Sequence, residues 1–186
     1  PGCACDVASH LYSFSFEKNP YWPNVFSQSK DILQYLIYCA KKHNITSHVK
    51  FDKEITELRY NQKALEWTLS TSSNEKEIFD VIINGTGPLN KPFIPTIVGI
   101  EQFKGEMFHS SNWKHDCELK GQTVACIGAG ASAIQFVPEI VDKVKKLNIF
   151  QRTPTWLVPR FDRSYSTITK KCFDCIPGLN RIYRTF

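Results

Sequence analysis

The residues whose spacing points most directly to chemistry are Gly128, Gly130 and Ala133, a G-x-G-x-x-A pattern directly after the short apolar run Val124-Ala125-Cys126-Ile127. A strand that turns on such residues and passes into a helix presents unpaired backbone N–H groups and a positive dipole end to a phosphate. Gly128 permits the tight turn, Gly130 lets main chain approach a pyrophosphate, and Ala133 keeps the helix close to the strand. Arg152 follows the next apolar stretch, at the station where a dinucleotide-binding unit reads the adenosine ribose. A carboxylate there suits the 2′-hydroxyl of NAD; a guanidinium suits the 2′-phosphate of NADP. The competing reading of the same residues is a buried glycine turn in an α/β protein that holds no nucleotide.

The elements that must position these residues follow from periodicity. Ile134, Val137, Ile140, Val141 and Val144 recur at helical spacing, with Lys143, Lys145 and Lys146 at the far end where positive charge is favoured. Pro138 removes a donor inside that helix and predicts a kink. The following strand is expected over 147–151. Earlier in the chain, 12–16 alternates aromatic residues with serine as a half-buried strand would. Residues 19–26 read as an aromatic loop. Ile32, Leu33, Leu36, Cys39 and Ala40 form one face of a helix capped by Ser27 or Ser29, with Asp31 in its first turn and an end near His43. Residues 51–71 read as a β-meander, and 79–83 as a further, buried strand. The stretch 91–120 has little periodicity and reads as a connector. The expected fold is α/β.

Composition narrows the function classes. The chain has 186 residues, 42% hydrophobic and 13% aromatic, which is globular. Its formal charge of +5 comes from 23 basic and 18 acidic residues without a basic run longer than two, so nucleic acid is not an expected partner. No apolar run reaches the ~18 residues of a membrane span. Seven cysteines at irregular spacing fit a reducing compartment, and a cytoplasmic location is expected. Cys172-x-x-Cys175 lacks the second pair that a zinc site needs, so no metal is assigned. The first residue is Pro1, and the expectation is a fragment or processed product.

In the connector, Phe103, Gly105, His109 and Trp113 spell F-x-G-x-x-x-H-x-x-x-W. Alone, His109 and Trp113 read more readily as hydrogen-bonded filler on a loop than as chemistry. Together with Pro1, Gly2 and Asp6 (Pro-Gly-x-x-x-Asp), with Gly85-Thr86-Gly87 followed by Pro92, and with Gln151-Arg152-Thr153-Pro154, the string resembles the Baeyer-Villiger monooxygenases. These flavin enzymes are similar to the flavin-containing monooxygenases, and the likeness covers residues 1 to about 160. Lys114 departs from the proline or aspartate usual after the fingerprint tryptophan.

The resemblance implies a two-dinucleotide-binding-domain, Rossmann-like flavoprotein using FAD and NADPH. It divides the chain into part of an FAD domain (1–92), a linker with the fingerprint (93–119), the first part of an NADP domain (120–160), and the start of a helical insertion (161–186). It places Asp6 beside the flavin, where it would set a catalytic arginine, and lays Ala4 and Cys5 against the nicotinamide cofactor. Tyr12 and Ile55 would touch FAD. Gly128, Ala129, Gly130, Ala131, Ser132, Ala133, Ile134 and Gln135 would wrap the NADP pyrophosphate, and Arg152 with Thr153 would take the 2′-phosphate. His109 would couple domain movement to catalysis.

The implied reaction has NADPH reducing FAD and a C4a-peroxyflavin inserting oxygen from O₂ into a ketone or other lipophilic small molecule. The family's first glycine motif and its catalytic arginine lie outside residues 1–186, so the expectation for the chain by itself is an incomplete, inactive flavin site. Two alternatives remain at this stage: a nitrogen- or sulfur-oxidising flavin monooxygenase, and a truncated, non-catalytic NADP-binding protein.

Overall fold

A computed structural model describes residues 1–184. Helices and strands are mixed, and the chain divides into two compact units. One is formed by residues 1–43 with the chain from Ile97 onward, the other by 44–96. The N-terminal 43 residues thus pack with the second half of the chain.

In the first unit, α1 spans Ser29–Lys42. Its N-cap is Gln28, not Ser27 or Ser29, and the Gln28 N–H donates to the Asp31 carboxylate at 3.3 Å. The acidic first turn and the lysines of the last turn both suit the helix dipole. Leu33 and Leu36 are exposed; the buried stripe is instead Ile32, Tyr35 and Cys39, packed with Trp22 and Tyr165. Tyr35 draws the helix toward this face because its hydroxyl has polar work there. It donates to the Glu17 carbonyl at 2.5 Å and accepts from the Phe14 N–H at 2.8 Å.

The expected strand at 12–16 does not form. Leu11 and Tyr12 donate their N–H groups back to the Ala8 carbonyl, at 2.8 and 3.2 Å, which winds the chain into turns. The aromatic alternation serves ring contacts instead, with Phe14 and Phe16 stacked at 5.1 Å.

The second unit holds an antiparallel sheet of order β1-β2-β3, comprising β1 (Ile55–Asn61), β2 (Glu66–Thr71) and β3 (Lys76–Phe79). Asn61 makes the first turn, its side-chain oxygen accepting from the N–H groups of Lys63 and Ala64 at 3.0 and 3.2 Å. Tyr60 and Trp67 then face each other across the strands, ring centroids 5.0 Å apart. The third strand ends where the expected strand at 79–83 was to begin. Residues 81–84 pair with no strand among the described residues, and Val81 and Ile83 are 72% and 89% exposed. An apolar run of this kind needs a partner strand on each side to become a buried strand.

Back in the first unit, β4 (Thr123–Ile127), α2 (Ala131–Ile140) and β5 (Lys146–Phe150) form a β-turn-α-β sequence. β4 and β5 are parallel, in register from Thr123 opposite Lys146 to Ile127 opposite Phe150. Ala133 is 7% exposed, as close helix–strand packing requires. Pro138 falls in the last turn of α2, which stops at Ile140 rather than running to Val144. The missing proline N–H and the clash with the Ile134 carbonyl weaken the helix at that point.

Beyond Pro159 the chain returns to the N-terminal segment. Val25 donates its N–H to the Arg163 carbonyl and Tyr165 to that of Pro23, both at 2.9 Å. Two short helices follow, α3 (Thr167–Cys175) and α4 (Leu179–Tyr183). Phe173, Tyr165 and Tyr183 surround His10, which is 2% exposed. The Arg184 guanidinium closes the arrangement by donating to the carbonyls of His10 and Ser13, at 3.2 and 2.9 Å.

Candidate dinucleotide-binding site

The glycine turn lies where the parallel pair ends. Gly128 has φ +102°, a conformation that side chains other than hydrogen rarely accept. Its N–H donates to the Phe150 carbonyl at 2.8 Å, which ties the turn to the end of β5. Gly130 is the N-cap of α2, and no side chain caps the helix there. A Cβ built at Gly128 or Gly130 would meet nothing within 4 Å, so the space in front of both residues is open. Uncapped first-turn N–H groups beside open space are what a phosphate requires.

The segment after β5 is fastened to the same turn a second time. The Thr155 hydroxyl donates to the Ala129 carbonyl at 2.9 Å. Residues 151–154 therefore run between two tethers to the glycine turn, one at Phe150 and one at Thr155. Arg152 and Thr153 lie in that span, and Arg152 is exposed. Below the turn, the Cys126 thiol donates to the Gly128 carbonyl at 3.3 Å. Burial pushes this thiol up, so it stays protonated and adds no negative charge under an anion.

The Pro1-Gly2 element lies against the same helix. Gly2 has φ +65°, and a Cβ on it would fall 2.2 Å from the Gln135 carbonyl oxygen. The Ala4 N–H donates to the Gln135 side-chain oxygen at 2.8 Å. On its other edge this segment pairs with the approach to α1: Cys5 donates its N–H to the Ser27 carbonyl and Ser29 to that of Cys3, both at 2.9 Å. Ala4, Cys5 and the exposed Asp6 are thus carried by a short extended piece held between α1 and α2.

The fingerprint reaches α2 through its tryptophan, whose ring centroid is 5.2 Å from that of Phe136. His109 precedes a short turn of helix at Ser110–Asn112, and its Nδ1 accepts from the Ser111 N–H at 3.2 Å. Lys114, the departure from the family pattern, pairs with Glu106 inside the fingerprint itself. Tyr12 follows the turn at Ala8, whereas Ile55 opens β1 in the other compact unit.

Sequence reasoning missed three features: the tether from Thr155, the double engagement of Gln135, and the aromatic enclosure of His10. Each includes a contact between residues more than twenty positions apart, which periodicity does not register. The hydroxyl of Thr155 next to the Q-R-T-P string was the one signal available for the first.

Comparison with known proteins bears on the same residues. Residues 5–171 match the family model described as flavin-binding monooxygenase-like. A Baeyer-Villiger monooxygenase of Streptomyces coelicolor is 45% identical over 184 residues, and one of Pseudomonas aeruginosa is 41% identical; each alignment covers 99% of this chain and 35% of the relative. The crystal structure of cyclohexanone monooxygenase from Rhodococcus sp. Phi1 bound to NADP+ superposes with a TM-score of 0.89 at 27% identity, covering 100% of this chain and 35% of that one. The chain therefore spans about a third of the length of the relatives it matches, and it belongs to the flavin-binding monooxygenase-like family.

Proposed function

We propose that the full-length protein is an NADPH- and FAD-dependent monooxygenase of the Baeyer-Villiger type, inserting one atom of O₂ into a lipophilic ketone. The observation that carries the reading is the open glycine turn at Gly128 and Gly130, tied by Thr155 to the segment bearing Arg152 and by Gln135 to the segment bearing Asp6. Names shared by the relatives at 41–45% identity support the ketone.

In this reading α2 binds the NADP pyrophosphate with its first-turn N–H groups, with residues from Gly128 to Gln135 as the cradle. Arg152 and Thr153 take the 2′-phosphate, a bidentate guanidinium–phosphate contact being stronger and more directional than an ammonium one. Ala4 and Cys5 face the nicotinamide, and Asp6 holds a catalytic arginine by charge. Tyr12 and Ile55 line the flavin, and His109 acts on domain movement. Bound FAD and NADPH supply oxygen activation and reducing equivalents; the protein orients them and excludes water. The functional division is an FAD part at 1–92, a linker at 93–119, an NADP part at 120–160 and an insertion beginning at 161. Seven free thiols support a reducing, cytoplasmic location. No helix among the described residues is long and apolar enough to cross a membrane.

The test is Arg152→Ala in the full-length protein. Losing the 2′-phosphate contact should raise the KM for NADPH by about 10- to 100-fold while changing that for NADH less than about threefold. Equal loss for both cofactors refutes the 2′-phosphate role. Products from a cyclic ketone and from a thioether decide the reaction: a lactone supports the proposal, and a sulfoxide without lactone overturns it.

A further inference from the structure

The Gln135 side chain is engaged at both ends. Its amide nitrogen donates to the Ala131 carbonyl in the first turn of α2 at 2.9 Å, and its amide oxygen accepts from the Ala4 N–H at 2.8 Å, across 131 residues of chain. Among the described residues the Ala4 N–H donates to Gln135 alone. In the antiparallel bridge to Gln28, the N–H of Cys5 and the carbonyl of Cys3 do the pairing, so by alternation the Ala4 N–H faces away from α1. A half-buried N–H needs a partner, and Gln135 is the one supplied. Main chain meets main chain beside it, since Gly2 touches the Gln135 carbonyl too closely for any side chain. Asp6 follows two residues after Ala4, with only Cys5 between.

We infer that Gln135 is a positioning residue that transmits occupancy of the glycine turn to Asp6. This rests on the NADPH reading above. A dinucleotide phosphate seated on the first turn of α2 orders the Ala131 carbonyl's turn. Gln135, bonded to that carbonyl, then holds Ala4 and with it the station of Asp6 and the nicotinamide face. Because both ends of its side-chain amide are taken up within the protein, the part Gln135 plays at the end of the cradle falls on the alignment of bound cofactor rather than on affinity.

The experiment compares Gln135→Met, which keeps length and removes both bonds, with Gln135→Glu, whose carboxylate still accepts from the Ala4 N–H but cannot donate to the Ala131 carbonyl, in the full-length protein. Gln135→Met should slow flavin reduction at saturating NADPH by about tenfold and raise uncoupled hydrogen peroxide release, with the KM for NADPH within about threefold of wild type. Gln135→Glu should keep the Ala4 N–H protected yet reduce flavin about as slowly as Gln135→Met, because its link to the Ala131 carbonyl is cut. In the Met variant a rise in KM alone or an unchanged reduction rate, or a Glu variant as fast as wild type, overturns the inference.

Amide hydrogen exchange provides a readout independent of turnover. The Ala4 N–H should be protected in the wild type, more so with NADP+, and unprotected in Gln135→Met. If wild-type protein oxidises no NADPH, the functional reading fails. Ala4 protection that ignores both NADP+ and the Met variant overturns the Gln135 role by itself.

Discussion

A single atom decides the residue at position 2. The φ of +65° already disfavours a side chain, and the nearest obstacle to a Cβ is a backbone oxygen 2.2 Å away, which has no rotamer to escape into. Gly2→Ala should destabilise the full-length protein by about 1–3 kcal/mol and detach the segment bearing Asp6. A urea midpoint equal to that of the wild type would show that residue 2 does not rest on α2. Arg152 and Gln135 belong to the same scale: the first reads a phosphate, the second reads the main chain of a remote segment. Neither shows in the hydrophobic pattern, yet each is specified by donor geometry.

At the scale of elements, α1 is fastened at its C-terminal end by one carboxylate. Glu17 accepts from the Lys42 amine at 2.9 Å and lies 3.1 Å from His43 Nε2. The hydrogen bond from Lys42 first, and His43 after it, hold the Glu17 carboxyl below its ordinary value of 4.5, and the same pairing pushes Lys42 up to about 12. A depressed acid stabilises the folded state above pH 4.5 and loses that contribution as pH falls through its lowered value. Glu17→Gln should therefore flatten the acid limb of unfolding below pH 4.5 while lowering stability at pH 7, as followed by urea midpoints. A mutant whose acid limb matches wild type would place the acid sensitivity elsewhere. The meander offers a contrast, since its ion pairs Lys50–Glu77 and Lys53–Glu75 are exposed and contribute little.

At the scale of the whole first unit, His10 is the point where the two ends of the described chain meet. Its ring lies 3.8 Å, centroid to centroid, from that of Phe173 on α3, and Arg184 after α4 binds its carbonyl. Burial lowers its pKa from 6.5 to about 4, so the packed state holds it neutral. The unfolded chain takes up that proton first, and stability is lost as pH falls from 6.5 toward 4, a window above that of Glu17. His10→Phe keeps a ring against Phe173 and should abolish the decline across that window in urea titrations; persistence of the decline would rule His10 out as its source. The sequence by itself determined what is written locally: the parallel strands around Gly128 and Gly130, the helix at α1, the first hairpin of the meander, and a likeness carried by short strings such as the fingerprint at His109 and Trp113. Turn chemistry and periodicity act within a few residues, so they are legible in order along the chain. It misjudged 12–16 and 79–83, where alternation or apolar character matched a strand but the required neighbours were absent among the described residues, and it misplaced the buried face of α1, where the Tyr35 hydroxyl outweighed two leucines. Only the tertiary structure decided that Gln135 and Gly2 join the first residues to α2, that Thr155 fastens the arginine-bearing segment to the glycine turn, and that the tail past Pro159 encloses His10. Each of those is a contact between sites far apart in sequence, made by a hydrogen bond, a close main-chain approach or rings in contact, and such a pairing leaves no period behind in the sequence.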